Sequence, residues 1–245
     1  MPHPLGSCPM VSIVCAVMNR FPALRVALTS WRLQPDIREI VIVDWNSDIP
    51  LTPLAQEDER IQIIRVDHEP RFHLPAAYNL AADQATQPVL LKLDADYVLN
   101  PYYRFQASHP LPDGGFLTGH FRHRGQFTEY LNGLICVRAA DWHRVHGYNE
   151  HLEGYGWDDD DFYRRLAATG LQRWILSPEP ATAFHIPHGN DARVQHYDDK
   201  DLQHAHQQNR ALTAAQPYTR RRFAWELSPV ATRVQRAIKL TALTT

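Results

Sequence analysis

Apolar runs and helical periods alternate along the first hundred residues of the chain. Four short apolar runs, rich in β-branched residues, are typical of buried strands: Val11–Val17, Glu39–Asp44, Gln62–Val66 and Val89–Leu93. Two segments have apolar residues at the helical period and a proline in the first turn, Pro22–Leu33 and Leu74–Gln84. The order β-α-β-β-α-β predicts an α/β fold, with a mostly parallel sheet flanked by helices. Ligands of such sheets bind beyond the carboxyl ends of the strands.

The second half of the chain has a less regular pattern. Helices are predicted over Arg138–His146 and Asp158–Ala168, each ended by a nearby glycine. Further strands are predicted in four short segments: Phe116–Phe121, Leu131–Val137, Arg173–Ser177 and Ala181–His185. From Pro217 onward the composition becomes basic, with six Lys or Arg residues and the single acid Glu226. Residues 217–245 are therefore expected to form a basic tail, as a solvated helix or a frayed terminus, with contact to an anionic membrane surface as the alternative.

Composition restricts the classes of protein that the chain can represent. Hydrophobic residues make up 44% of the 245 residues, which suffices for the core of a single domain. The formal net charge is −2, so no nucleic-acid partner is expected. The apolar segment Val11–Met18 is too short to span a membrane, and the first residues lack the pattern of a signal peptide. Three cysteines without C-x-x-C spacing indicate neither a disulfide framework nor a thiolate zinc site, which predicts a cytoplasmic setting.

Two carboxylates follow the predicted strand Val89–Leu93. Asp94 and Asp96 are two residues apart, and side chains of a strand alternate with a period of two, so both can face one cleft. One can bind a divalent metal while the other orients a ribose hydroxyl or a water molecule. The alternative is that the pair only forms a turn or caps a helix.

An acidic run at 158–161 opens a predicted helix, directly after Gly154, Tyr155, Gly156 and Trp157. Four consecutive aspartates repel one another, and the N–H groups and dipole of a helix N-terminus offset part of that cost. A tryptophan beside a carboxylate is a common arrangement for holding a sugar ring, and the carboxylate can act as general base toward a hydroxyl. The alternative is an over-acidic first turn with no chemical role.

His185 and His188 form a pair of imidazoles near the end of the last predicted strand. Neutral imidazoles are good ligands of transition metals, although the chain has 14 histidines and a chance pair is the alternative. Together with Asp96 they make a mixed oxygen and nitrogen site suited to Mn²⁺, with open positions for a diphosphate. Mg²⁺ is the second choice of ion.

These motifs resemble those of known glycosyltransferases. The segments similar to family 2 glycosyltransferases are Val11–Arg20, Val41–Asp44, Ala76–Asn79 and Leu93–Asp96. The segments similar to the C-terminal half of β-1,4-galactosyltransferases and bacterial chondroitin-polymerase-like enzymes are Asn132–Leu134, Gly147–Glu150 and Gly156–Asp161. The resemblance covers roughly residues 11–190 and implies a GT-A fold, a Rossmann-like sheet that binds a nucleotide sugar. A single domain over residues 1–216 is expected, with a nucleotide-binding part at about 11–100 and an acceptor and catalytic part at about 101–216.

The resemblance also implies roles for individual residues. Asp96, His185 and His188 would bind Mn²⁺. Asp159 would be the catalytic base, and Asp158 would bind an acceptor hydroxyl and is the second candidate for the base.

The resemblance implies further residues that contact the donor or acceptor. Donor contacts are expected from Arg20, Asp44, Phe72, Asn79, Asp94 and Asp96. In this set Phe72 would stack on uracil, and Asp94 would hold the ribose or the water shell of the metal. Trp157 would pack on the acceptor or donor sugar. The structural alternatives are a core position for Phe72, a surface ion pair for Arg20 and a packing role for Trp157.

Two positions depart from the family pattern. Trp45 follows Asp44 where family 2 often has a second acid, and Tyr78 precedes Asn79 where an arginine is usual. Both departures concern contacts with the nucleotide and leave the metal ligands and the base in place.

The function implied is that of an inverting, metal-dependent glycosyltransferase. It would move a hexose or N-acetylhexosamine from a UDP-sugar to a hydroxyl of a saccharide or glycoconjugate acceptor. One alternative is a catalytically inactive module that binds a nucleotide sugar or a saccharide. Another is a sugar nucleotidyltransferase, which usually has a glycine-rich loop after the first strand, whereas Met18–Pro22 contains no glycine. A peripheral contact of the basic tail with the inner face of the membrane is compatible with each of these three functions.

Overall fold

A computed structural model describes residues 10–102, 111–120, 130–176, 182–215 and 221–240. Its strands are β1 (Val11–Val17), β2 (Ile37–Trp45), β3 (Ile61–Val66), β4 (Val89–Lys92), β5 (Tyr97–Leu99), β6 (Gly115–Thr118), β7 (Ile135–Arg138), β8 (Gln172–Ile175), β9 (Ala183–His185), β10 (Ala224–Ala231) and β11 (Val234–Leu240). Its α-helices are α1 (Phe21–Arg32), α2 (Leu74–Gln84), α3 (Ala139–Arg144), α4 (Asp158–Ala168), α5 (Asn190–Val194) and α6 (Leu202–Ala215), and a short 3₁₀ helix covers Thr52–Gln56.

One nine-stranded sheet forms the centre of the fold, in the order β10-β11-β3-β2-β1-β4-β7-β6-β8. The pairs among β1, β2, β3 and β4 are parallel, as are β3 with β11 and β6 with β8. Strand β7 is antiparallel to both β4 and β6. The predicted α/β architecture with a mostly parallel sheet is confirmed. Strands β5 and β9 pair separately as a small antiparallel sheet.

The core lies on both faces of the sheet, which explains why β1 is apolar at every position but one. Ile13 and Cys15 face the layer that contains α1, while Val14 and Ala16 face the layer that contains α2 and α4. Each helix is placed by an apolar stripe, as shown by Trp31 of α1, which is fully buried and donates its indole N–H to the Tyr97 carbonyl at 2.8 Å. Burial on two sides is the expected environment of parallel strands.

Most predicted elements form within a few residues of the expected bounds. The largest difference is at Leu131–Val137, where the strand begins only at Ile135. Residues 131–134 instead form a turn, closed by the Leu134 N–H donating to the Leu131 carbonyl at 2.9 Å. The ends of three predicted strands, Phe121, Ser177 and Ala181, lie outside the described residues. Helices α5 and α6 are additions that the apolar pattern does not predict.

The helix or frayed terminus predicted from Pro217 onward is wrong for residues 224–240. This segment forms an antiparallel hairpin whose second strand, β11, pairs in parallel with β3. The basic side chains that suggested a solvated tail form ion pairs: Arg221 with Asp83, Arg222 with Glu153, Arg236 with Asp67 and Lys239 with Glu69. Composition gives the charge of these residues, but it does not show which acidic residues form ion pairs with them in the folded protein. None of the helices in the described residues is long and apolar enough to cross a membrane.

Neighbouring residues of β11 test whether the hairpin belongs to the fold. Ala237 is 2% exposed and packs in the core, while the next side chain, Ile238, is 52% exposed. Ala237→Asp would bury a carboxylate among apolar groups, so we expect a loss of several kcal/mol in the free energy of unfolding, measured by urea denaturation. Ile238→Asp should cost no more than about 1 kcal/mol, because this side chain is exposed and its new carboxylate would only stand opposite Glu226 of β10. Equal effects of the two substitutions would contradict this docking of the hairpin.

Candidate active site

A cleft of about 520 Å³ opens at the carboxyl end of the central strands. The residues that line it come from the ends of β1 and β4, the start of α4 and the segment after β9; the charged and aromatic ones include Arg20, Phe72, Lys92, Asp94, Asp96, Tyr155, Trp157, Asp158, Asp159, His185, His188, Arg193 and Tyr197. Parallel strands end at the same edge of a sheet, and residues far apart in sequence therefore meet there.

Asp96, His185 and His188 form the cluster that can hold a metal. One potential ligand atom from each residue lies within 4.8 Å of the others. The antiparallel pairing of β5 with β9 sets Tyr97 opposite His185, and the Ile186 N–H donates to the Asp96 carbonyl at 2.8 Å. The strand pair thereby brings together the three residues that the sequence predicts as ligands.

The electrostatics of this cluster suit a cation. His188 Nε2 lies 3.2 Å and Arg20 Nη2 2.7 Å from Asp96 Oδ2, and His185 Nε2 lies 3.8 Å from Asp96 Oδ1. Burial raises the pKa of Asp96, but His188, His185 and Arg20 together outweigh it and the pKa is lowered. Burial lowers the pKa of His185, so this imidazole is neutral near pH 7, as a metal ligand must be. One carboxylate and two imidazoles therefore fit a divalent transition metal.

Asp94 lies beside this cluster and is held from below. Its Oδ1 accepts a hydrogen bond from the Tyr78 hydroxyl at 2.7 Å and contacts the Lys92 ammonium at 2.8 Å. Gly133 approaches so closely that an added Cβ would lie 2.7 Å from Asp94 Oδ2. Any larger residue at this position would displace the Asp94 carboxylate, because the 131–134 turn packs closely against it.

The four aspartate side chains at the start of α4 have different surroundings. Trp157 precedes the helix with φ 71°, and its carbonyl accepts the first helical hydrogen bond, from the Asp161 N–H at 2.9 Å. Asp161 turns back to Arg165 at 2.8 Å, and Asp160 is exposed to solvent. Asp158 and Asp159 line the cleft. Asp160 also lines the edge of the cleft, so the run contributes three carboxylates to the cleft and Asp161 to the helix itself.

Asp158 and Asp159 have environments that favour proton uptake. The Tyr148 hydroxyl donates to Asp159 Oδ1 at 2.6 Å, and Lys92 Nζ lies 3.5 Å from the same oxygen. Burial raises the pKa of Asp159 against the opposing effects of Lys92 and Tyr148. Burial and the charge of Asp159 raise the pKa of Asp158 to about 7. A carboxylate that takes up protons near neutral pH is suited to general base catalysis.

The two aromatic residues of the predicted site differ in their surroundings. Phe72 stacks on Tyr197 with ring centroids 6.0 Å apart and lies between the cleft and a second cavity of about 560 Å³. Trp157 is 9% exposed, donates its indole N–H to the Thr213 hydroxyl of α6 at 2.7 Å and packs edge-on against His206. The Trp157 ring thus joins α4 to α6. Its predicted contact with a sugar stays a prediction.

Two predicted donor contacts do not reach the cleft. Asp44 is fully buried; its Oδ2 accepts from the Leu51 N–H and contacts Arg65, both at 2.9 Å, which fixes the loop after β2. Asn79 is also fully buried, and its amide binds the backbone of Tyr148 and the Glu150 carboxylate at 2.8–2.9 Å. Both side chains support the loops of the site from within the protein. The predicted contact of each side chain with a nucleotide stays a prediction.

Lys92, Tyr148 and Arg193 are residues of the site that the motifs do not identify. Lys92 and Arg193 line the cleft, and Arg193 donates to the Tyr155 hydroxyl at 3.2 Å. The signal for Lys92 is a lysine inside the otherwise apolar run Val-Leu-Leu-Lys-Leu. An ammonium there must be paired if the strand is buried. Nothing in the sequence indicates that Tyr148 meets Asp159.

Comparisons with known proteins agree with this geometry. Residues 12–111 match the model of the family described as glycosyl transferase family 2, and residues 117–189 match the model described as the N-terminal domain of galactosyltransferase. A comparison with curated proteins finds no match. The resemblance inferred from the motifs is confirmed in both halves of the chain.

Solved structures share the fold at low sequence identity. The catalytic domain of Drosophila β1,4-galactosyltransferase 7, in complex with xylobiose, is 15% identical with a TM-score of 0.56, and the match covers 95% of this chain and 94% of that one. Residues 1–349 of S. aureus TarS are 15% identical with a TM-score of 0.58, covering 80% and 68%. A mannosyltransferase from Pyrobaculum calidifontis, in complex with GDP-Man and Mn²⁺, is 20% identical with a TM-score of 0.55; the match covers 69% of this chain and 55% of the length of that enzyme.

The fold and the site define the class of protein. The chain has the GT-A fold of glycosyltransferases, with one sheet that brings a cluster able to hold a metal ion and an acidic helix start to the same cleft. Within that class it combines a first half similar to family 2 glycosyltransferases with a second half similar to galactosyltransferases.

The position of Asn79 gives a test of its role. Asn79→Ala leaves buried hydrogen-bonding groups of Tyr148 and Glu150 without their partner, so we expect a loss of about 1–3 kcal/mol in the free energy of unfolding. The affinity of the folded variant for UDP with Mn²⁺, measured by calorimetry, should stay near the wild-type value. A large loss of UDP affinity at unchanged stability would instead support the nucleotide contact that the sequence predicts.

Proposed function

We propose that the protein is an inverting, metal-dependent glycosyltransferase. It transfers a hexose or N-acetylhexosamine from a UDP-sugar to a hydroxyl of a saccharide or glycoconjugate. The observation that carries the proposal is the meeting, in one cleft, of a three-residue metal cluster and two carboxylates whose pKa values are raised. Donor activation and acceptor deprotonation require these two elements side by side.

The donor side of the cleft consists of Asp96, His185, His188 and Arg20. These ligands fit Mn²⁺, with Mg²⁺ as the second choice, because the set mixes a carboxylate with imidazoles. A bound ion would act as a Lewis acid that neutralises the negative charge developing on the leaving diphosphate. Arg20, which contacts Asp96, adds a positive charge at the same place. Solved GT-A structures that contain manganese with UDP-Gal, or Mn²⁺ with GDP-Man, support this assignment.

The acceptor side consists of Asp158 and Asp159 at the start of α4. Asp159 takes the proton of the acceptor hydroxyl, whose oxygen then attacks the anomeric carbon from the face opposite to the diphosphate. A single displacement inverts the configuration, so an α-linked donor gives a β-glycoside. Tyr148 fixes the orientation of the Asp159 carboxylate through its hydrogen bond to Oδ1. Asp158 holds the acceptor hydroxyl and is the second candidate for the base.

Two alternatives predict other outcomes. A catalytically inactive binding module would bind the nucleotide sugar and release no UDP. A sugar nucleotidyltransferase would form a sugar nucleotide from a nucleoside triphosphate and a sugar phosphate. UDP release from a panel of UDP-sugars, with and without Mn²⁺, distinguishes all three.

Cytoplasmic localisation and contact of the C-terminal hairpin with the membrane stay predictions. The ion pairs of that hairpin reduce the basic charge available to a lipid surface.

Metal dependence gives the first test of the donor side. We expect transfer to require a divalent cation, with Mn²⁺ the most effective, and to stop in excess EDTA. UDP should raise the melting temperature only when Mn²⁺ is present, because a ligand that binds only the native state stabilises it by mass action. Full turnover in EDTA, or equal protection by UDP with and without the metal, would contradict an ion that bridges the protein and the diphosphate.

Substitution of the acidic run tests the acceptor side. Asp159→Asn keeps the size of the side chain but removes the proton acceptor, so the transfer rate at saturating donor should fall by about 10²–10⁴-fold. UDP affinity in the presence of Mn²⁺ should change little. Asp160→Asn is the matched control, because this neighbouring side chain is exposed at the edge of the cleft and its substitution should lower the rate much less than that of Asp159. Near-normal rates for Asp159→Asn together with inactivity of Asp158→Asn would transfer the role of base to Asp158.

A further inference from the structure

Lys92 is a charged residue in a place where charge is costly. It lies at the end of β4, between Leu91 and Leu93, and is 1% exposed. Burying an unpaired ammonium is strongly unfavourable. A lysine at such a position is therefore expected to have interaction partners. Its partners are residues of the cleft, and Lys92 has no role in the proposed donor activation or acceptor deprotonation.

Lys92 Nζ lies between the donor side and the acceptor side of the cleft. It is 2.8 Å from Asp94 Oδ1 and 3.5 Å from Asp159 Oδ1. The ring of Tyr78 lies below it, with the centroid 4.6 Å from Nζ, and the ring of Tyr148 lies at 5.9 Å. Burial lowers the pKa of Lys92, but Asp159 and Asp94 outweigh burial and the pKa is raised. The ammonium is therefore charged at neutral pH.

In the part of the chain that the structure describes, the groups that interact most strongly with Asp159 besides Lys92 add negative charge or none. Asp94 faces it from the end of β4, and Asp158 and Asp160 are its neighbours on α4. The hydroxyls that interact with it are those of Tyr78, Tyr97, Tyr148, Tyr155 and Tyr163. Of all these groups Lys92 is the one cation. Three further carboxylates favour a proton on Asp159, and a single ammonium opposes them.

We propose that Lys92 is a positioning residue that keeps Asp159 ionised and ties it to Asp94, so that the base is ready at neutral pH and at a fixed distance from the donor site. This inference rests on the proposed function and deepens it. A protonated Asp159 cannot accept the proton of the acceptor hydroxyl. Lys92 thus acts through Asp159 and Asp94 from the floor of the cleft, below the reacting atoms.

The pH profile of transfer tests the proposal. Lys92→Met removes the charge and keeps a side chain of similar length. The rate falls as pH falls through the pKa of the base, and an opposite charge at this distance lowers a carboxyl pKa by about 1–3 units. We therefore expect the acidic limb of kcat in Lys92→Met to move to higher pH by about 1–3 units, with much of the rate recovered above the new limb. Lys239→Met, which breaks an ion pair of the C-terminal hairpin, is the matched control and should leave the limb in place.

Melting temperatures give a readout that does not depend on activity. Without Lys92 the buried carboxylates bind protons more tightly in the native than in the unfolded state, so stability falls as pH rises through their titration. Lys92→Met should therefore lose more in melting temperature at pH 8 than at pH 5. The loss at pH 8 should be smaller when Lys92→Met is made in the Asp159→Asn background, because one uncompensated charge is then absent. Lys92→Gln, which is smaller and polar, serves as the second variant if the methionine does not fold.

The outcomes separate this inference from the proposed function. An unmoved acidic limb in an active Lys92 variant overturns the positioning role, as does an equal loss of melting temperature in the two backgrounds. Failure of the wild-type protein to release UDP from every donor overturns the proposed function, and the catalytic role of Lys92 with it. In that case the melting temperatures still measure whether Lys92 and Asp159 are coupled in the fold.

Discussion

The accumulation of negative charge at one edge of the sheet is the constraint on which the rest of the site depends. Carboxylates from the end of β4 and from the start of α4 line one cleft of about 520 Å³. Like charges that share one cleft repel one another, and the repulsion is stronger in a protein interior than in water. The fold offsets this repulsion with the ammonium of Lys92 below, the guanidinium of Arg20 at the side and the N-terminus of α4. A bound divalent ion would add the charge that the donor requires.

The two halves of the chain meet at this edge through a few specific contacts. The pairing of β5 with β9 brings Asp96 to the histidines, and the buried Asn79 ties α2 to the turn that carries Tyr148. Tyr148 in turn orients Asp159. The positions of the proposed metal ligands and of the proposed base thus depend on backbone and side-chain contacts between separate segments of the chain. Substitutions behind the cleft are therefore expected to alter chemistry as well as stability.

Much of the fold follows from local pattern. The bounds of β1, α2 and α4 coincide with the apolar periods and helix signals of the sequence, and the metal cluster follows from ligand types that a family resemblance brings together. The C-terminal hairpin could not be predicted, because its basic residues resemble a solvated tail unless the acids that they meet are known. Asp44 and Asn79 fit the motif by spacing, but their partners Arg65 and Glu150 are set by the tertiary fold. Lys92 has a local signal, a charge within a buried strand, and its partners become visible only in three dimensions.

The central claim is that Asp96, His185 and His188 hold the ion that binds the diphosphate of the donor. Pulsed electron paramagnetic resonance of Mn²⁺ bound to the protein with UDP tests it directly, since the spectrum reports the nuclei in contact with the ion. The account predicts nitrogen couplings from two imidazoles and a phosphorus coupling from UDP. The nitrogen couplings should diminish in His188→Ala. A phosphorus coupling without any nitrogen coupling, or no Mn²⁺ bound in the presence of UDP, would contradict it.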